Sequence, residues 1–413
     1  MSNKIKIGLF GFGCVGQGLY DVLSKTSGIK AEIIKICVKD KNKKRSISQS
    51  NFTFDKNELL NDDSINVIVE LIDSADEAFE IVSSALKKGK AVVTANKKML
   101  AEHFEELYYL QIKYQVPLLY EASVCASIPI IRTLEEYYDN DLLDSIEGIF
   151  NGTTNYILTK TIQENKTYEE VLKDAQQLGF AESNPKLDVQ GFDPKYKLCI
   201  LIAHAFGIFV KPEDILNYGI HHLNENDIRY AKEKGYKIRL IAHATKKGKK
   251  IFGKILPQFV DAESPFYTVN NEYNAVQVEA SFADKQLFKG KGAGSHPTAA
   301  AVLSDISALT YNYRYEYKKV QQNGLFKLES DDPIRIYLRY ADETILDEIL
   351  FTEIEERYKS NGYKYVVGTT FISQLLNANL NNRKDIFIAE VGNQIPDSLP
   401  ELKQVRLLSL AVS

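Results

Sequence analysis

The segment KIKIGLFGFGCVGQGLYDVL, beginning at Lys4, limits the fold more than any other local feature. An apolar run gives way to Gly11, Gly13 and Gly16, and apolar residues then recur at helical spacing. A G-x-G-x-x-G that follows a strand and opens a helix is the turn of a parallel βαβ unit that binds a dinucleotide. Gly11 permits the tight turn, Gly13 lets the backbone approach a pyrophosphate, and Gly16 allows the helix to lie close on the strand. Unpaired N–H groups at the helix start, around Cys14 and Val15, then face the phosphates. The bland reading, a glycine-rich turn that binds nothing, fits this context less well.

The alternation continues through AEIIKICV, INVIVELI, AVVTA and VPLLYEASV. Between the second and third of these, DEAFEIVSSALKKGK reads as a helix closed by lysines and Gly89. Alternation of this kind predicts a Rossmann-like, doubly wound α/β domain with a parallel sheet covered on both faces, here over residues 1–132. Residues 133–330 read as an α+β domain for substrate binding and dimerisation. Its hairpin-like strands from about Gly235 to Ala283 suggest a mostly antiparallel sheet. A helix over 297–313, started by Pro297, is expected to return to the first domain. With Asp331-Asp332-Pro333 as linker, residues 331–413 read strand, helix, strand, helix, strand, a small α+β unit.

Composition removes several function classes. With 51 basic and 55 acidic side chains the net charge is −4, which gives a nucleic acid no electrostatic footprint. Four scattered cysteines without a C-x-x-C pair argue against a disulfide framework and a zinc site. No stretch approaches the apolar length of a membrane span, and no leader is expected before the first strand. A cytoplasmic, reducing location is expected.

The chemistry is expected in FAESNPKLDVQGFDPKYKLCILIAH, which gathers Glu182, Asp188, Asp193 and Lys197. Gly191-Phe192-Asp193-Pro194 reads as a helix start, with Asp193 at the N-cap and Pro194 at the first position. Asp193 and Lys197, four apart, then share one face. A lysine in the first turn feels the positive end of the helix dipole, and burial would add to the fall in its pKa, so it could exchange a proton near neutrality. Glu182 and Asp188 in the preceding loop add carboxylates suited to a substrate ammonium group. A solvated cap and ion pair is the plainer alternative. Lys97, in Val93-Thr94-Ala95-Asn96-Lys97, follows a strand of the first domain, where open α/β sheets bind their ligands.

These motifs together resemble homoserine dehydrogenases. The resemblance rests on GFGCVG (Gly11 to Gly16), TANK (Thr94 to Lys97), EASV (Glu121 to Val124), NGTTNYIL (Asn151 to Leu158), AESNPKLDVQGFDPKYK (Ala181 to Lys197) and GKGAGSHPTAAAV (Gly290 to Val302). It implies an NAD(P)-dependent interconversion of homoserine and aspartate 4-semialdehyde, in the biosynthesis of the aspartate-family amino acids. It also implies a homodimer formed through the antiparallel sheet. Lys197 matches the proton donor and Lys97 a second lysine of the active site and cofactor. Glu182, Asp188, Asp193 and Thr153 match the substrate pocket. Gly11, Gly13, Cys14, Val15, Gly16, Lys39, Thr94, Gly179, Glu182, Gly292 and Gly294 match positions around the cofactor. Main-chain oxygens of Glu121, Val124, Ala126 and Ile128 match an alkali-cation loop for Na+ or K+, and oxygen ligands suit a hard cation.

The chain departs from the family pattern in several places. Cys125-Ala126-Ser127 replaces the usual glycines of the cation loop, Asn184 stands where an aspartate is usual, and Cys14 replaces a threonine. The C-terminal unit has an ACT-like order but reads Ala341-Asp342-Glu343-Thr344 where a turn of the Asp-Arg-Pro-Gly type is expected, which speaks against control by threonine. Val38-Lys39-Asp40 followed by Lys41, Lys43, Lys44 and Arg45 tilts the cofactor toward NADP, with NAD as the alternative. Two rival functions are a semialdehyde dehydrogenase with Cys125 as nucleophile and a nucleotide-sensing regulator without turnover. The histidines His204, His221 and His222 read as core residues rather than metal ligands.

Overall fold

The computed structural model describes residues 4–164, 166–178, 181–182, 184–322, 324, 326–378 and 380–392. Two sheets carry the architecture. The first is wholly parallel, in the order Phe52–Thr53, Ala31–Cys37, Ile5–Phe10, Val67–Glu70, Ala91–Thr94, Leu118–Leu119. Its central strands are runs of Ile, Val and Leu buried on both faces, as crossover helices on either side require. The helix Ala75–Lys87 supplies one crossover. Ser74 caps its start by accepting from the Glu77 N–H, and Gly89 follows its end at φ +74°.

The second sheet is mixed and runs Asp284–Lys291, Tyr273–Ala280, Leu143–Ile149, Lys237–Lys247, Lys250–Val260, Ile386–Val391, Pro333–Tyr340, Tyr363–Phe371, Glu353–Ser360. Neighbours are antiparallel except on Lys250–Val260, which pairs in parallel with Ile386–Val391 and with the short strands Leu216–Asn217 and Lys327–Leu328. The helix Phe192–Phe206 packs on this sheet, with Leu198 and Ile202 over Gly253. Ser295–Leu309 instead lies against the first helix of the chain, Cys14–Lys25. Gly18 meets Ser295 there, and the Ser295 hydroxyl donates to the Cys14 carbonyl at 2.7 Å.

The C-terminal strands continue the second sheet: Ile386–Val391 pairs with Lys250–Val260, where Lys254 Nζ lies 2.6 Å from Glu390 Oε1 and Gln258 donates to Glu390 Oε2 at 2.7 Å. Two sequence expectations need correction. The C-terminal unit holds an additional strand, because Glu353–Ser360 and Tyr363–Phe371 form a hairpin turned by Gly362 at φ +81°. The helix expected from Pro297 begins at Ser295 and ends at Leu309, capped by Gly294 at φ +116°.

The two sheets meet along a buried polar seam. His204, near the C-terminal end of Phe192–Phe206, pairs through Nδ1 with Glu135 at 2.6 Å and through Nε2 with the Tyr120 hydroxyl at 2.8 Å. Tyr120 also reaches the Tyr317 hydroxyl at 2.8 Å. Both His204 ring nitrogens are therefore occupied, and the helix is fixed to the end of the parallel sheet.

Candidate active site

A cleft of about 930 Å³ opens at the carboxyl ends of the first strands, lined by Gly11, Gly13, Cys14, Val15, Lys39 and Glu182 among others. The glycines there are dictated by space. A Cβ at Gly11, where φ is +92°, would lie 2.4 Å from the Leu71 carbonyl oxygen, and one at Gly16 would lie 2.5 Å from the Gly11 carbonyl oxygen. Gly13 is different, because nothing lies within 4 Å of where its Cβ would be. Open space over the backbone at the start of a 12-residue helix is what a dinucleotide phosphate needs, so the residues fit the cofactor. At the far end, Lys39 pairs with Glu77, while the Asp40 carboxylate accepts from Asn42 N at 2.8 Å and Lys43 N at 3.2 Å. Both bonds fall on Asp40 Oδ1, and Asp40 itself lines the cleft. Lys43 and Arg45 line the same end of the cleft.

The buried polar cluster forms where the two domains meet. The strand Leu143–Ile149 delivers Phe150 and Asn151, and Asn151 caps the helix Gly152–Gln163 by accepting from Thr154 N at 2.8 Å. Its amide donates in the other direction, to Asp188 Oδ1 at 2.7 Å and to Asp193 Oδ2 at 2.9 Å. Asp193 is 5% exposed and holds two lysines, one on each oxygen: Lys97 Nζ at 3.0 Å from Oδ1 and Lys197 Nζ at 2.8 Å from Oδ2. Lys197 also donates to the Phe150 carbonyl at 2.6 Å, which leaves one of its three N–H bonds. Lys97 comes from the first domain and Asp193 from the second, so this ion pair closes the seam at the site.

Burial alone would raise the Asp193 carboxyl, but the ammonium groups of Lys197 and Lys97 outweigh it and hold the group well below the usual carboxylate range. Asp188 goes the other way. Burial, and then the negative charge of Asp193, push it up to about 6 against the donor from Asn151. The attraction of Asp193 raises Lys97 above its ordinary value despite burial.

The helix start differs from its sequence reading. Gly191, at φ +81°, is the N-cap, and Asp193 and Pro194 occupy the second and third helical positions. Asp193 makes no cap bond because both of its oxygens face lysines. The four-residue spacing still joins Asp193 to Lys197.

Other expected residues are placed as follows. Glu182 is exposed and borders the nucleotide cleft. Thr153 stands two residues after Asn151, in the first turn of its helix. Thr94 is fully buried, its hydroxyl donating to Glu70 and accepting from Asn96 N at 3.0 Å, so it shapes the turn before Lys97 and has no hydroxyl to offer a cofactor. Gly292 packs against the Asn274 carboxamide, and Gly294 precedes the serine that touches the first glycine loop. Gly179 lies outside the described residues. Asn151 and the Phe150 carbonyl, which complete the cluster, were not singled out as site groups, although an Asn-Gly-Thr-Thr turn after a strand is a recognisable helix cap.

In the loop after Leu118–Leu119, the Glu121 carboxylate accepts from Ile131 N at 2.8 Å and Arg132 N at 3.0 Å, and burial together with Asp305 pushes it up to about 8. Ala126 adopts φ +44° without being glycine. Beside it Asn274 is fully buried, and its Oδ1 has no partner among the described residues. A buried acceptor of this kind calls for a polar partner. Cys125 is fully buried and burial pushes its thiol up to about 12, which disqualifies it as a nucleophile. Among the described residues no group of three or more His, Cys, Asp or Glu could hold a metal, and no helix is long and apolar enough to cross a membrane.

Comparison with known proteins gives a consistent result. A family model for "Homoserine dehydrogenase, NAD binding domain" matches residues 11–121, and one for "Homoserine dehydrogenase" matches residues 129–307. A homoserine dehydrogenase of Bacillus subtilis is 39% identical over 321 residues, 76% of this chain and 74% of its own. The crystal structure of a homoserine dehydrogenase from Thiobacillus denitrificans superposes with a TM-score of 0.82 at 28% identity, over 94% of this chain and 98% of that one. A hyperthermophilic archaeal homoserine dehydrogenase mutant in complex with NADPH gives a TM-score of 0.66 at 28% identity, over 76% and 100%.

Proposed function

Because the chain belongs to the homoserine dehydrogenase family, we propose that its buried Lys97–Asp193–Lys197 cluster carries the family's reaction. The protein is an NAD(P)-dependent oxidoreductase acting on a CH–OH group, interconverting homoserine and aspartate 4-semialdehyde in amino-acid biosynthesis. The rival activities, a thiol-dependent semialdehyde dehydrogenase and a silent sensor, have no support.

The observation that carries the site assignment is the double ion pair on Asp193. Bound in the cleft, the nicotinamide cofactor supplies a hydride to the aldehyde carbon, or takes one from the alcohol. Lys197 gives its free N–H to the aldehyde oxygen as the C–H bond forms, and takes the proton back in the reverse direction. Asp193 fixes its position, and Lys97 adds positive charge beside the developing alkoxide. Asp188, held by Asn151, accepts from the substrate ammonium group, and Glu182 closes the pocket from the nucleotide side.

Several finer readings rest on the same frame. NADP is preferred and NAD accepted, since Lys39, Lys43 and Arg45 outnumber Asp40 in the part of the cleft where a 2′-phosphate would lie. A monovalent cation is held by carbonyls of Glu121, Val124, Ala126 and Ile128, where it would steady the loop beside Lys197. A homodimer forms through the second sheet, whose outer hairpin exposes Phe282 and Leu287. The C-terminal unit is ACT-like: its strands lie in the order fourth, first, third, second with every neighbour antiparallel, a split βαβ arrangement. The location is cytoplasmic, in keeping with four free cysteines.

Oxidation of NADPH and of NADH on addition of aspartate 4-semialdehyde tests these readings together. The expected result is homoserine as product, with kcat/KM at least about tenfold higher for NADPH, a ratio worth about 1.4 kcal/mol. A preference for NADH would refute the role given to the basic residues.

A further inference from the structure

Asp188 sits beside the negative charge of Asp193 in a buried pocket, so something must hold its loop in place. The short helix Lys186–Val189 closes on itself through bonds such as Val189 N to Pro185 O, but two carbonyls at its end are served from outside. Ile220 N donates to the Val189 carbonyl at 2.7 Å, and Asn217 Nδ2 donates to the Gln190 carbonyl at 2.9 Å. Between them Gly219 lies so close that a Cβ would stand 1.9 Å from the Val189 oxygen. The segment Asn217–His221 is therefore pressed against the back of the Asp188 loop.

The other side of that segment is tied to the C-terminal unit. Asn381, in the turn Leu380–Asn382, donates through Nδ2 to the Asn217 carbonyl at 2.8 Å, and its own carbonyl pairs with His221 Nε2 at 3.1 Å. The buried Tyr218 hydroxyl donates to the Ile386 carbonyl at 3.0 Å, and Arg339 Nη2 donates to the His222 carbonyl at 2.7 Å. A continuous path thus runs from Asn381 through Asn217 to Gln190, two residues from Asp188.

We infer that Asn217 and Asn381 are positioning residues, through which the C-terminal unit sets where Asp188 meets the ammonium group of the amino-acid substrate. The inference rests on the assignment of Asp188 to that group. It makes the C-terminal unit part of the substrate site, whether or not it also binds a regulator. Neither asparagine touches substrate or cofactor, so the effect must appear in substrate affinity.

The test is steady-state kinetics of Asn217→Ala, Asn381→Ala and the double variant. Each single change should raise the KM for homoserine about fivefold, as expected for one hydrogen bond of about 1 kcal/mol. The values of kcat, the KM for NADP+ and the melting temperature should stay close to wild type. Because the two bonds act in series, the double variant should be no worse than Asn217→Ala alone. An unchanged KM for homoserine, or one that rises together with the KM for NADP+, overturns the inference. Absence of turnover in the wild type would instead overturn the assignment of the site. Should Asn217→Ala fail to fold, Asn381→Ala and Asn381→Ser decide the matter by the same split.

Discussion

Asp188 is held in a state that suits binding better than folding. Its folded pKa of about 6 exceeds the ordinary 3.8, so between those values the native protein binds more protons than the unfolded chain. Its contribution to stability therefore falls as pH rises through that window and stays unfavourable above it. Asp188→Asn should raise the melting temperature of the unliganded protein at pH 7.5 by roughly 2–4 °C, with the gain vanishing toward pH 4, as scanning calorimetry would record. The same change should raise the KM for homoserine at least about tenfold, and in the wild type that KM should climb below about pH 6 as the carboxylate is lost. Ala126 carries a separate strain, at φ +44°. Ala126→Gly should increase stability by about 0.5–1 kcal/mol in urea titrations. The Asp193–Lys197 pair was legible in the sequence because helical spacing alone brings the two together. Asn151 was not, since its amide reaches Asp188 and Asp193 across a junction that only the tertiary fold creates.

Strands and helices differ in how far the sequence disclosed them. The parallel strands announce themselves as short runs rich in Ile, Val and Leu between capped helices. The C-terminal strands were harder to read. Glu353–Ser360 is mostly charged and exposed, with no apolar alternation to mark it, and is a strand because Tyr363–Phe371 pairs with it. The fusion of that unit to the central sheet depends on a distant pair, Lys254 with Glu390, both about 90% buried. Lys254→Met should leave the Glu390 carboxylate buried with only Gln258 as donor and cost about 3–5 kcal/mol of stability, measured by chemical denaturation. A cost below about 1 kcal/mol would show that the sheet junction does not depend on this pair.

The chemistry proposed for the molecule falls on a seam. Lys97 and the glycine loop come from the parallel sheet, Asp193 and Lys197 from a helix on the mixed sheet, and Asp188 from a loop braced by the C-terminal unit. The Tyr120–His204–Glu135 links fix the C-terminal end of the helix Phe192–Phe206, whose first turns carry Asp193 and Lys197. The central claim is that Lys197 moves the proton. Its most direct test is kcat for aspartate 4-semialdehyde reduction by Lys197→Ala, measured alongside NADPH affinity by calorimetry. The predicted result is a loss of at least about 10²-fold in kcat with NADPH binding within about twofold of wild type. Turnover within a few fold of wild type would contradict the assignment and turn attention to Lys97.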